Sequence, residues 1–198
     1  MNIILGILSV IAGYLIGSFP TAYIITKILK GVDIRNIDVG NMGAAAVRRQ
    51  LGLIPGMLVA IVDIAKGSVV ILLAQLLTGD VFLWVYAAGF AALLGHCFPV
   101  YIGFRGGQGT ATIIGIFAVL SPLVLLVMLL LMGIILLIVR RIYPMVIICS
   151  PVLPILLWLL TASFPLTVYS LVLILFMISR NIKGISYEFT KFKNRLKI

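Results

Sequence analysis

The stretch GTATIIGIFAVLSPLVLLVMLLLMGIILLIVRR, residues 109–141, decides the fold. It is apolar almost throughout, is interrupted once at Ser121-Pro122, and ends on the pair Arg140-Arg141. Read without the interruption it is one long tilted helix; read with it, two membrane spans. Proline has no amide hydrogen and its ring clashes with the preceding turn, so a helix ends naturally before Pro122. Charge decides between the two readings. With the break, Arg140 and Arg141 fall on the same side as the other loop cations; without it they fall on the opposite side, against the positive-inside rule.

Working outward, the same apolar character fills the chain. It has 198 residues, 63% of them hydrophobic and 10% charged, with a mean hydropathy of +1.30. Soluble bundles need a polar stripe on each helix, which is missing here. The expected fold is therefore all-α, a polytopic integral membrane protein with about seven transmembrane helices. Spans are expected at 3–26, 55–78, 82–103, 108–120, 122–139, 145–162 and 165–182, in a single transmembrane domain over 1–198. The span at 108–120 has only 13 residues, too few to cross alone, and is expected to pack within protein. The N-terminus, Met1-Asn2, lacks the basic segment of a cleaved signal, so the first helix is expected to be retained.

This register places cytoplasmic loops at about 27–54, 104–110 and 140–144 and a cytoplasmic tail at 183–198, with the N-terminus out and the C-terminus in. Fourteen of the fifteen Lys and Arg residues then face the cytoplasm, and the fifteenth, Lys66, lies inside a span. The net charge of +10 orients the protein and meets anionic headgroups. The alternation of cations with apolar residues over 191–197 reads as an interfacial segment. Nucleic acid is not expected as a partner. One histidine and five acids leave little for a metal site, and no metal or cofactor is expected. Cys97 and Cys149 sit in apolar surroundings and are expected to be free.

Three polar segments on the cytoplasmic side break the pattern. Gly31 to Gly52 is a long loop holding Asp33, Arg35, Asp38, Asn41, Arg48 and Arg49; a loop of that length is uncommon unless functional. Arginine offers a planar fork suited to phosphate. The second segment runs from His96 through Arg105 into Gly106-Gly107-Gln108-Gly109, just before a helix start, where unpaired N–H groups favour anions. It lacks the Lys-Ser/Thr ending of a nucleotide P-loop. His96 is a general base or a structural hydrogen-bonding residue. The third is Arg180-Asn181 with Glu188 downstream, either a pocket wall or a stop-transfer cluster. An anion pocket requires Arg48, Arg49, Arg105 and Asn181 to converge on the glycine loop. Asp63 and Lys66, three apart on one helix face, can neutralise each other as a functional pair or a buried brace.

These residues carry a resemblance. Gly17-Ser18-Phe19-Pro20-Thr21-Ala22-Tyr23, Asp33-Ile34-Arg35, Gly40-Asn41-Met42-Gly43-Ala44, Asp63 with Lys66-Gly67, and Gly95 to Thr112 stand in order and spacing over nearly the whole chain. Together they resemble the bacterial acyl-phosphate-dependent glycerol-3-phosphate acyltransferase family. The resemblance implies a seven-helix inner-membrane enzyme with its active site open to the cytoplasm. It implies acyl transfer from a fatty acyl phosphate to the 1-hydroxyl of glycerol-3-phosphate, giving lysophosphatidic acid for phospholipid synthesis. It assigns catalysis to Asn41, Arg49 and Asn181 and phosphate binding to Arg105 and Gly106 to Gly109; Arg48, extra to the family pattern, is a substitute cation. His96, Lys66, Asp63 and Glu188 are further polar candidates.

The chain also departs from the family pattern. Val39 stands where a serine precedes the Gly-Asn pair, and Ala45-Ala46 where a Thr-Asn pair follows. Gln108 stands where the loop has lysine, Pro144 where a serine is usual, and Ile178 where a histidine is usual. A second reading follows from these: a catalytically divergent paralogue that binds or transports an anionic lipid or metabolite.

Overall fold

The computed structural model describes residues 2–37, 42–140 and 142–195; at 142–144, 181 and 183–195 the description is of the backbone alone. The described residues are helical apart from short connections. They divide into two compact units, Met1–Leu120 and Ser121–Ile198, and the division falls at the Ser121-Pro122 interruption.

The first unit begins with α1 (Ile3–Gly17) and α2 (Thr21–Lys30). The expected continuous span 3–26 is thus two helices, separated at Ser18-Phe19-Pro20. The reason is Pro20, which cannot donate into the ladder and pushes Phe19 out of helical geometry. The expected loop 27–54 is largely structured, with α3 (Ile34–Ile37) and α4 (Ala44–Leu51). Their apolar residues Ile34, Ala46 and Val47 are buried with Ala22 and Val59, which anchors this segment beneath its polar surface. Removing these five side chains from water is the driving force that orders it.

Three longer elements complete this unit. Helix α5 (Leu53–Thr78) and α6 (Phe82–Cys97) follow the expected spans, and α6 stops before Pro99, leaving a single 3-10 turn at Val100–Ile102. Helix α7 (Thr110–Leu120) has 11 residues, about 17 Å, roughly half the hydrocarbon thickness. It packs on α5, where the Ser68 hydroxyl donates to the Gly115 carbonyl at 2.9 Å. Helix α1 packs along α6 and α5. At Gly17 a Cβ would lie 2.7 Å from Ala92 Cα, so the α1 and α6 backbones approach closely only because that side chain is absent.

The second unit contains α8 (Pro122–Val139), α9 (Ile142–Cys149), α10 (Val152–Thr161) and α11 (Phe164–Arg195). Pro122 is the first residue of α8, where its missing N–H would have had no partner. The expected span 145–162 is interrupted at Ser150-Pro151 for the same reason that the first span breaks. Pro144 lies in the first turn of α9, a position that tolerates proline. Helix α11 runs 32 residues, so the segment expected as a separate interfacial tail continues the last span as helix.

Among the described residues, four helical stretches are long and apolar enough to cross a bilayer: Ile3–Lys30, Leu53–Thr78, Phe82–Ile102 and Pro122–Val139. Three shorter apolar ones are Thr110–Leu120, Met145–Thr161 and Phe164–Arg180.

Candidate active site

The site is built on the interruption of the first span. Ending α1 at Gly17 leaves carbonyls without helical partners, which is costly away from water. The Lys66 ammonium, reaching across from α5, donates to the Phe19 carbonyl at 2.8 Å and the Gly17 carbonyl at 3.4 Å. A cation at a helix C-terminus also meets the negative end of its dipole. Lys66 is in turn 2.8 Å from Asp63 Oδ1, one turn earlier on α5. The same Asp63 oxygen accepts from the Thr21 hydroxyl at 3.2 Å, on the first residue of α2. Asp63 and Lys66 are only 3% and 6% exposed, so the pair is a buried one and each needs the other. The pair therefore joins both halves of the broken helix to α5.

His96, on the last turn of α6, extends the cluster. Its Nδ1 is 3.8 Å from Asp63 Oδ1, and its ring lies against the glycine loop. At Gly107 a Cβ would be 3.1 Å from His96 Cε1 and closer still to Nε2, so only glycine fits beside this ring. The loop also closes the end of α6. The Gly106 N–H donates to the Cys97 carbonyl and the Gly107 N–H to the His96 carbonyl, each at 3.1 Å. The Phe98 carbonyl accepts from the Tyr14 hydroxyl at 2.8 Å. The loop amides expected to cradle a phosphate are thus engaged at 106 and 107, because the last carbonyls of α6 need donors.

Between these elements is a small, open cleft bounded by Phe19 to Tyr23, Met42, Asp63, Lys66, His96, Pro99, Ile102, Gly106 and Gly107. All of it lies within the first unit.

The glycerol-3-phosphate acyltransferase family model matches residues 7–189. The chain belongs to the glycerol-3-phosphate acyltransferase family. A glycerol-3-phosphate acyltransferase of Anaeromyxobacter dehalogenans is 47% identical over 122 residues, which cover 60% of this chain and 61% of that protein. The matched region thus spans about three fifths of that relative. The crystal structure of PlsY (YgiH), an integral membrane glycerol 3-phosphate acyltransferase, in its glycerol 3-phosphate form is similar at TM-score 0.87. It is 33% identical and covers 94% of this chain and 92% of that one. Its lysophosphatidic acid form matches at TM-score 0.85, 31% identity and the same coverage. The chain is an all-helical integral membrane protein.

In this glycerol-3-phosphate acyltransferase family member, the cleft gathers Asp63, Lys66, His96, Gly106 and Gly107 among the residues singled out from sequence. Gln108 is half-buried, and Gly109 is buried with φ +89, beside Leu93. Arg48 and Arg49 are exposed on α4 and Arg105 is exposed on its loop; none of the three bounds the cleft. Ala46 packs in the apolar cluster with Ile34 and Val47 rather than filling the cleft. Asn41 and Val39 lie outside the described residues, as do the side chains of Asn181 and Glu188 on α11. Thr21 and Tyr23 entered the sequence reading only as part of the Gly17-to-Tyr23 motif and not as site residues, because the span 3–26 was expected to be continuous.

Proposed function

We propose that this protein transfers a fatty acyl group from an acyl phosphate to the 1-hydroxyl of glycerol-3-phosphate. The products are lysophosphatidic acid and inorganic phosphate, and the reaction serves phospholipid synthesis at the cytoplasmic face of the bacterial inner membrane. The observation that carries this reading is the family match over residues 7–189; four of the five motifs quoted from the sequence, all but Asp33-Ile34-Arg35, contribute residues to one cleft in the first unit. In the step, the acceptor oxygen bonds to the acyl carbon while the bond from that carbon to the phosphate oxygen breaks. The departing phosphate takes the hydroxyl proton, so no side-chain base is needed.

The chain's own residues bind and orient. The Gly106 and Gly107 amides are engaged by α6; phosphate recognition is assigned to Arg48, Arg49 and Arg105 as the cations of these loops, although none of the three bounds the cleft in this arrangement. Gln108 and Gly109 shape the loop, and Asn41 and Asn181 keep the catalytic roles that the family resemblance implies. Fixed donors aimed at the developing oxyanion stabilise the transition state. Lys66 takes no part in binding phosphate. Its three donor positions are filled by Asp63, Phe19 and Gly17. That filling also weakens the alternative of a transporter with an intramembrane ion site, which needs an exchangeable charge. The orientation, N-terminus out and C-terminus in, puts the basic loops with the phosphorylated substrates.

The test is direct. Purified protein in lipid nanodiscs receives a long-chain acyl phosphate and labelled glycerol-3-phosphate, and lysophosphatidic acid is quantified. Product above a no-enzyme blank is expected, with Arg49→Ala losing far more activity than His96→Ala. No product, with a family relative active alongside, overturns the reading; equal losses in the two variants overturn the pocket assignment.

A further inference from the structure

Asp33-Ile34-Arg35 is the motif that the cleft leaves unused, and its two charged side chains are densely hydrogen-bonded. Arg35 Nε donates to Asp33 Oδ1 at 2.9 Å and Oδ2 at 2.8 Å, and its backbone N–H donates to Oδ1 at 2.9 Å. Arg35 Nη2 pairs with Oδ2 at 2.5 Å. The remaining arm leaves the loop altogether: Nη1 donates at 2.7 Å to the carbonyl of Ile102, 67 residues away. The guanidinium carbon lies 5.3 Å from the centre of the Tyr23 ring on α2, within reach of a cation–π contact.

One side chain therefore touches three elements: its own loop, α2, and the 3-10 turn after α6. Two of the residues it touches, Tyr23 and Ile102, bound the cleft, whereas Asp33 and Arg35 do not. Ile102 also stands four residues before Gly106, so the turn it ends leads directly into the glycine loop. The pair is partly shielded, with side chains 29% and 18% exposed, and the planar fork uses separate nitrogens for the carboxylate and the carbonyl. A lysine ammonium cannot reproduce that division.

We propose that Arg35 is a positioning residue for the acceptor: it clamps the first cytoplasmic loop onto the Val100–Ile102 turn and holds both at the cleft in the arrangement glycerol-3-phosphate binds. This rests on the function proposed above. The acceptor is the substrate affected, because a small polar molecule depends wholly on the loops. The donor's acyl chain is already held by the bilayer. Loosening the clamp lowers the fraction of protein in the competent arrangement, which raises the apparent binding constant by the reciprocal of that fraction. Saturating acceptor restores the competent arrangement, so kcat is retained. A residue that only maintained folding would do the reverse, lowering the active amount with KM unchanged.

Glycerol-3-phosphate is varied at saturating acyl phosphate in nanodiscs for wild type, Arg35→Gln, Arg35→Lys, Asp33→Asn and the Asp33→Asn/Arg35→Gln pair. Arg35→Gln is expected to raise the acceptor KM about tenfold, the factor for roughly one lost charge-assisted hydrogen bond, with kcat within about twofold. Arg35→Lys recovers only part of the loss, and the double variant is no worse than Arg35→Gln. An unchanged KM, or full recovery by lysine, overturns the proposal. Amide hydrogen exchange over residues 100–107 is measured on the same samples. It accelerates in Arg35→Gln if the clamp exists, and unchanged exchange overturns the clamp. A wild-type protein that makes no product refutes the proposed function instead, and the exchange result then decides the clamp by itself.

Discussion

Lys66→Met isolates the buried pair that joins the broken first helix to α5. Methionine keeps the apolar stem and approximate length but removes the ammonium. Asp63, 3% exposed, is left with the Thr21 hydroxyl but without its cation, and the Phe19 and Gly17 carbonyls lose their shared donor. Removing one partner of a buried pair costs about 3–5 kcal/mol. The Phe19 carbonyl keeps the Thr21 N–H at 3.0 Å, so the lost ammonium contacts add only on the order of 1 kcal/mol. For a chain of this size the melting midpoint then falls on the order of 10 °C or more. Asp63→Asn costs less, since the ammonium keeps the Phe19 and Gly17 carbonyls and the amide oxygen can still accept from it. The decisive variant is Lys66→Met with Asp63→Leu. It removes the same ammonium from those carbonyls but strands no charge, and it recovers more than half of the lost stability. Thermal melts in nanodiscs, followed by the emission of the two tryptophans, measure all three. A double variant as unstable as Lys66→Met, or a Lys66→Met midpoint within a few degrees of wild type, refutes the assignment of the cost to an uncompensated buried charge.

Three further outcomes are expected. Gly107→Ala puts a methyl group into the His96 ring; lysophosphatidic acid formation falls at least about tenfold, and the same substitution in a His96→Ala background adds no further loss. Full activity of Gly107→Ala sinks that packing argument. The Arg35 hydrogen bond holds the Asp33 carboxyl below its usual range, so its contribution is present above the unfolded pKa and is lost only as pH falls through the lower folded value. Exchange over 100–107, corrected for intrinsic rate, therefore stays flat from about pH 5 to 9 and rises only below about pH 4; a rise near neutrality contradicts it. Because Cys97 and Cys149 are buried, single cysteines report the orientation. In intact cells an impermeant maleimide labels Asp80→Cys, whereas Arg105→Cys and Arg140→Cys label only after lysis; the opposite pattern reverses the topology.

The sequence by itself determined the all-helical membrane class, the interruption at Ser121-Pro122, the three-residue spacing of Asp63 and Lys66, and the family motifs. Each is a local property: hydropathy, a missing amide hydrogen and helix period act within a few residues of where they are written. Only the tertiary structure decided which donors meet which acceptors. The glycine loop looked like a set of free amides, but the end of α6 at His96 and Cys97 claims two of them. Lys66 was legible only as the neighbour of Asp63 on one helix face; the break before Pro20 supplies the carbonyls that complete its contacts. Arg35 looked like one more loop cation, yet its Nη1 reaches a carbonyl 67 residues away. Unsatisfied helix ends and buried charges must find partners, and packing across distant segments selects them; no local propensity encodes that choice.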